Sequence, residues 1–139
     1  DTGIEPRNLT LEVTESLAIN DMRRMKEILS SIRELGVRIA LDDFGAGYSS
    51  LNYIREIPLD VIKVDRSFIK GLTKDEYSQS FIKMVAKLAE AIDVSICLEG
   101  IETREQYKVL EGMKVRLVQG YYFDKPLPRE EFERKYVES

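Results

Sequence analysis

Five short runs of alternating apolar residues, each ending in a polar tip and followed by a helical pattern, constrain this chain more than any other feature. They fall at Leu9–Val13, Val37–Asp42, Val61–Asp65, Ser95–Glu99 and Leu117–Tyr121. Successive residues of a strand point to opposite faces. One face carries Leu9, Leu11, Val13, Ile39, Leu41, Ile62, Val64, Ile96, Leu98 and Val118, a branched layer suited to lie under helices. The other carries Thr10, Glu12, Arg38, Ala40, Asp42, Lys63, Asp65, Ser95, Cys97, Glu99 and Gln119.

The segments between the runs read as helices. Met22, Met25, Ile28, Leu29, Ile32 and Leu35 recur at helical spacing, and Gly36 is a natural stop. A shorter helix is expected from about Leu51 to Ile57, before Pro58, and a long one from about Asp75 to Ile92. Thr103 and Gln106 have capping-box spacing, and Pro128 opens a last helix through Phe132 and Tyr136. Strand–helix alternation predicts parallel βαβ crossovers. An open doubly wound sheet would be apolar on both faces of its central strands. A polar second face fits a closed barrel instead, with reactive groups at the C-terminal strand mouths. The expected class is therefore α/β, a partial TIM-type (β/α) barrel of five parallel strands. A full barrel needs eight strands and about 250 residues. The uncovered sheet edges are accordingly expected to meet an N-terminal segment or a second copy of the chain.

Two absences narrow the chemistry. The chain has no histidine, which excludes within it Ser-His-Asp or Cys-His catalysis and histidine-bound zinc. Any metal must take oxygen ligands, which points to magnesium, manganese or calcium. Cys97 is the only cysteine, so no internal disulfide can form, and a reducing, cytoplasmic location is expected. Cys97 itself reads as a small core residue. A net charge of −4 does not suit a nucleic-acid polymer as partner. No apolar run approaches the ~20 residues of a membrane span, so direct membrane insertion is not expected. The first residue is Asp1, and a piece of a longer protein is the natural reading.

The strand tips supply Glu12, Asp42 with Asp43, Lys63 with Asp65, Glu99 and Gln119. Separated by helices, these groups converge only if a barrel gathers them. Several carboxylates at one mouth raise one another's pKa unless a cation is present. A pair of divalent ions removes that conflict and can polarise a phosphoryl oxygen, which points to metal-assisted phosphodiester hydrolysis. Each residue alone has a plainer reading. Glu12 and Glu15 could be acids ahead of a helix, and Asp42-Asp43 could belong to a turn. Lys63 and Asp65 could form an interior ion pair, and Gln119 could be a hydrogen-bonding filler. Asp43-Phe44-Gly45 matches the kinase magnesium tripeptide, but the catalytic-loop histidine and the glycine-rich loop are missing. Gly45-Ala46-Gly47 lacks the third glycine of a dinucleotide fingerprint.

Together, five runs resemble a known family. They are Leu11-Glu12-Val13-Thr14-Glu15-Ser16, then Leu41-Asp42-Asp43-Phe44-Gly45-Ala46-Gly47-Tyr48-Ser49-Ser50-Leu51, then Ile62-Lys63-Val64-Asp65-Arg66-Ser67-Phe68. Glu99-Gly100-Ile101-Glu102-Thr103 and Gln119-Gly120-Tyr121 follow, with Pro126-Leu127-Pro128 near the end. Their order and spacing are similar to the EAL family of cyclic di-GMP phosphodiesterases. The resemblance implies that Glu12, Asp42, Asp43 and Glu99 hold metal, two magnesium or manganese ions. It implies that Lys63 faces the attacking water or scissile phosphate and that Asp65 supports it. Gln119 and Glu102 would be further active-site residues, and Glu15 would steady the glycine-containing loop after Asp43. The family's Glu-Ala-Leu segment and an asparagine ligand are not found, and both would precede Asp1. Ala46 stands where threonine is common and Leu98 where alanine is common.

Residues 1–139 are thus expected to be the C-terminal portion of one EAL-type barrel domain. The parent domain would cleave cyclic di-GMP to linear pGpG, and these residues alone would be inactive. A homodimer and flanking sensor or signalling domains in the parent protein are the expected partners. The alternative is a catalytically silent module that binds cyclic di-GMP or another protein.

Overall fold

The computed structural model describes residues 3–15, 21–47 and 53–137. Five strands, β1 (Thr10–Thr14), β2 (Arg38–Phe44), β3 (Val61–Val64), β4 (Ser95–Glu99) and β5 (Leu117–Gln119), form one sheet in the order β1-β2-β3-β4-β5. Every neighbouring pair is parallel. Between and after them run α1 (Met22–Glu34), α2 (Ser67–Gly71), α3 (Glu76–Ala91), α4 (Arg104–Leu110) and α5 (Arg129–Tyr136). Sequential parallel order with intervening helices is the wall of a (β/α) barrel.

Local sequence explains where the helices start. Asp21 accepts from the Arg24 N–H at the head of α1, and Asp75 accepts from the N–H groups of Tyr77 and Ser78 at the head of α3. Thr103 and Gln106 cap one another reciprocally at α4. Helix α1 ends before Gly36, whose φ of 91° suits the left-handed turn that only glycine adopts cheaply. The expected short helix from Leu51 begins outside the described residues, and its described part is a 3-10 turn over Tyr53–Arg55. The five-residue α2 carries no apolar repeat long enough to announce it in the sequence.

The apolar strand face forms the core as its alternation requires. Ile39, Leu41, Ile62, Val64, Ile96 and Leu98 are fully buried and pack against Leu29 of α1 and Ile82, Val85 and Ala89 of α3. Leu9 and Leu11 depart from this, being 46% and 39% exposed. β1 is an edge strand, and α1 lies on β2, so only Val13 of β1 joins the core. The polar face has a small apolar floor of Ala40, Val61 and Cys97.

One irregularity matters for the site. The β2–β3 register shifts between Leu41 and Phe44, and Asp43 there has φ 55°. Strict alternation would put Asp43 on the core face. The bulge instead leaves Asp43 exposed and drops Phe44 into the core at 0% exposure. Asp42 and Asp43 are therefore side by side at the end of β2, in a bulged strand end rather than a free turn.

Candidate active site

The polar face converges on one lysine. The Lys63 ammonium, on central strand β3, lies 2.5 Å from Glu12 Oε1 of β1, 2.6 Å from Glu99 Oε1 of β4 and 3.4 Å from Asp42 Oδ1 of β2. Glu12 is two strands away and must pass over β2. Its register partner there is Ala40, whose small side chain leaves the way open. Lys63 itself is buried, with its stem beside Cys97 in register on β4.

Charge explains why so buried a lysine is tolerated. Burial acts to lower its pKa, but hydrogen bonds to Glu12 and Glu99 and the nearby charges of Glu99 and Asp42 outweigh that and raise it above the ordinary lysine range. Lys63 is therefore a firmly held cation. Asp43 moves the other way for an acid: partial desolvation, then the charges of Asp42 and Asp65, raise its carboxyl above the usual 3.8. Lys63 and Arg66 partly oppose that rise. For Cys97, burial first and Glu99 next push the thiol up to about 11, so it is an inert floor residue at neutral pH.

Glu15 is buried at 4% exposure just past β1. Its Oε2 accepts from the Gly45 N–H at 3.3 Å, while Oε1 is buried without a hydrogen-bond partner among the described residues. Asp42 Oδ1 is likewise buried with no hydrogen bond among the described residues, although Lys63 is near. Buried carboxylate oxygens left without a hydrogen bond are costly.

The remaining sequence candidates lie around this centre. Asp65 sits just after β3 and accepts from the Ser67 N–H at 2.8 Å, which anchors the start of α2. Gln119 is in register with Glu99 but on the exposed edge strand β5. Glu102 is exposed, and its N–H donates to the Gln106 side chain. Sequence reasoning missed Arg66, which bears on the Asp43 charge and packs beneath Gly100. Its position directly after Asp65 was the available signal. It also missed the aromatic rings under Gly45, because Phe81 lies on a helix whose stripe reads as plain core.

A parallel (β/α) sheet with acids and one lysine gathered at its C-terminal end defines a TIM-type barrel protein with its polar groups at the strand mouths. The EAL domain model matches residues 1–126, and the chain belongs to the EAL family. It is 41% identical over 137 residues to the cyclic di-GMP phosphodiesterase NbdA of Pseudomonas aeruginosa, covering 96% of this chain and 18% of that protein. It superimposes on the PaMucR phosphodiesterase, solved as a c-di-GMP complex, with TM-score 0.87 and 36% identity, covering 93% of this chain and 52% of that one. Klebsiella pneumoniae BlrP1, solved as a manganese/cy-diGMP complex, gives TM-score 0.84 and 32% identity over 89% of this chain and 32% of that one. The chain spans about a sixth of the length of the first curated relatives it matches. Among the described residues no helix is long and apolar enough to cross a membrane.

Proposed function

We propose that this chain is the C-terminal part of an EAL-type barrel domain whose parent protein hydrolyses cyclic di-GMP to linear pGpG. The observation that carries the reading is the meeting of Glu12, Asp42 and Glu99, from three strands, on the single Lys63 ammonium. Relatives that are phosphodiesterases, or were solved with this nucleotide, supply the substrate.

The donor set fits hard divalent ions. It offers only oxygens, and the unbonded Asp42 Oδ1 is a carboxylate oxygen with capacity to spare. As the side chains stand, no three acids among the described residues are arranged to cage an ion, because their oxygens turn toward Lys63. Glu12, Asp42, Asp43 and Glu99 would hold magnesium or manganese, completed by ligands outside these 139 residues. When bound, two such ions supply Lewis-acid polarisation of the phosphate and acidify water. Lys63 would face the attacking water or the scissile phosphate, where an ammonium positions an oxygen and offsets its growing negative charge. Asp65 fixes the chain after β3, Glu15 steadies Gly45, and Gln119 and Glu102 border the substrate. With part of the ligand set elsewhere, the isolated 139 residues should be inactive.

The test is release of pGpG by the full-length protein with magnesium or manganese, repeated with calcium, whose longer bonds disfavour the geometry. Release that is lost in Glu12→Gln and Asp42→Asn supports the reading. Binding of cyclic di-GMP without release would instead assign a silent sensor module.

A further inference from the structure

We propose that the paired rings of Phe68 and Phe81 are a positioning element for the Asp43 carboxylate, acting through the backbone of Gly45. This rests on the functional reading above. It concerns a helix, α3, that otherwise contributes nothing to the site.

The geometry begins with the chain just after Asp43. Gly45 has φ 94° and lies directly on two aromatic edges: a Cβ placed there would meet Phe81 Cζ at 2.7 Å and Phe68 Cε2 at 2.8 Å. Real Cβ contacts are not that short, so the rings set how deep the backbone at residue 45 can sit. The Gly45 N–H is in addition held by Glu15 Oε2 at 3.3 Å. Gly45 is thus fixed by both a buried carboxylate and a ring pair. The rings form a firm support, stacked with centroids 3.9 Å apart and planes 8° from parallel. Phe81 also reaches the buried Phe44 ring, 6.3 Å away.

Asp43 is tied to that support at short range. The Ala46 N–H donates to the Asp43 carbonyl at 3.1 Å, closing a turn whose interior is Phe44 and Gly45. Asp43 holds φ 55°, a conformation rare outside glycine that persists only where surroundings enforce it. Fixing residues 44 and 45 on the rings supplies that enforcement. If residue 45 rises or falls, the Asp43 backbone relaxes toward an ordinary conformation and its carboxylate leaves the mouth shared with Asp42.

The experiment is a double-mutant cycle on the full-length protein between Phe81→Ala and Gly45→Ala, with Leu88→Ala as control. Leu88 is half-buried on the same helix and packs on the core away from the loop. Readouts are kcat and KM for pGpG release, manganese affinity by calorimetry, and thermal unfolding. Misplacing a reacting or ligating group by about 1 Å can cost up to about a hundredfold, so each single variant should lose about tenfold or more in kcat. KM should stay within about twofold, and manganese affinity should fall in parallel. Leu88→Ala should lower the unfolding temperature while leaving kcat and manganese affinity intact. In the double variant the shorter of the two clashes is gone and the Phe68 ring, no longer stacked on Phe81, can turn from the added methyl, so the loss should be smaller than the product of the single losses. Strictly multiplicative losses, or a Leu88→Ala effect on kcat equal to that of Phe81→Ala, would overturn the positioning role. If wild type releases no pGpG, the phosphodiesterase reading fails, and the manganese isotherms decide this inference by the same non-additivity. Absence of manganese binding in wild type would overturn it.

Discussion

Replacing Lys63 with methionine isolates the physical claim on which the site depends. Methionine keeps the length and most of the apolar stem, so the change removes chiefly the charge. Three carboxylates then face one another with no cation between them, where before each lay 2.5 to 3.4 Å from the ammonium. Breaking a buried ion pair from one side costs roughly 3–5 kcal/mol, because the surviving charges stay desolvated. Glu12 is half exposed, with 50% of its side-chain surface open, and water screens its share. Asp42 and Glu99 are only 22% and 26% exposed and receive less relief. Discounting for that screening places Lys63→Met at about 2–4 kcal/mol of destabilisation. The measurement is urea unfolding of the domain that carries this chain, without divalent ions, followed by circular dichroism. The companion variant Lys63→Met with Glu12→Gln and Glu99→Gln should recover more than half the loss, since the repulsion is then removed. A Lys63→Met change within about 0.5 kcal/mol, the size expected of an ordinary surface substitution, would refute the idea that this lysine neutralises the mouth. So would a companion no more stable than the single variant.

Three further outcomes test other parts of the structure. A methyl group at Gly120 would run into the backbone of Ile101, reaching its carbonyl carbon at 2.7 Å, where Ile101 N–H donates to Gln119 and Ile101 accepts from Tyr122. Gly120→Ala should therefore cost about 2–4 kcal/mol by urea unfolding, from overpacking and two strained hydrogen bonds. Thr103→Ala removes one half of the capping box of α4 and should cost about 1 kcal/mol, with faster amide exchange confined to the first turn of that helix. The Asp75 carboxyl is held below the usual 3.8 by the Ser78 hydroxyl first and the Tyr77 N–H next. An acid whose pKa falls on folding adds stability above its unfolded value and loses it as pH drops through the folded one. The stability difference between wild type and Asp75→Asn should thus be constant near neutrality and shrink below about pH 3.8, read from unfolding midpoints across that range.

Much of the scaffold was legible because its signals are local. Alternation along Ile39–Leu41, Ile62–Val64 and Ile96–Leu98 requires a core face and a polar face wherever such strands pair, and the capping residues Asp75 and Thr103 set helix starts through bonds spanning three residues. The same alternation placed Glu12, Asp42, Lys63 and Glu99 on one side of the sheet. It could not say that Glu12 would clear β2 over Ala40 to reach Lys63, because that depends on register and sheet curvature between segments 51 residues apart. Nor could it foresee exposure of Leu9 and Leu11, since a strand's pattern does not reveal whether a neighbour covers it.

By itself, then, the sequence settled the five strands, the longer helices, the face that regular strand residues take, and that any metal must be met by oxygen. Those properties follow from backbone periodicity and side-chain chemistry, which act over a few residues. Tertiary structure alone decided that a bulge would expose Asp43 while burying Phe44, that three acids would share one lysine, and that rings from α2 and α3 would support Gly45. Each of these is a contact between distant segments, set by how strands align and helices pack.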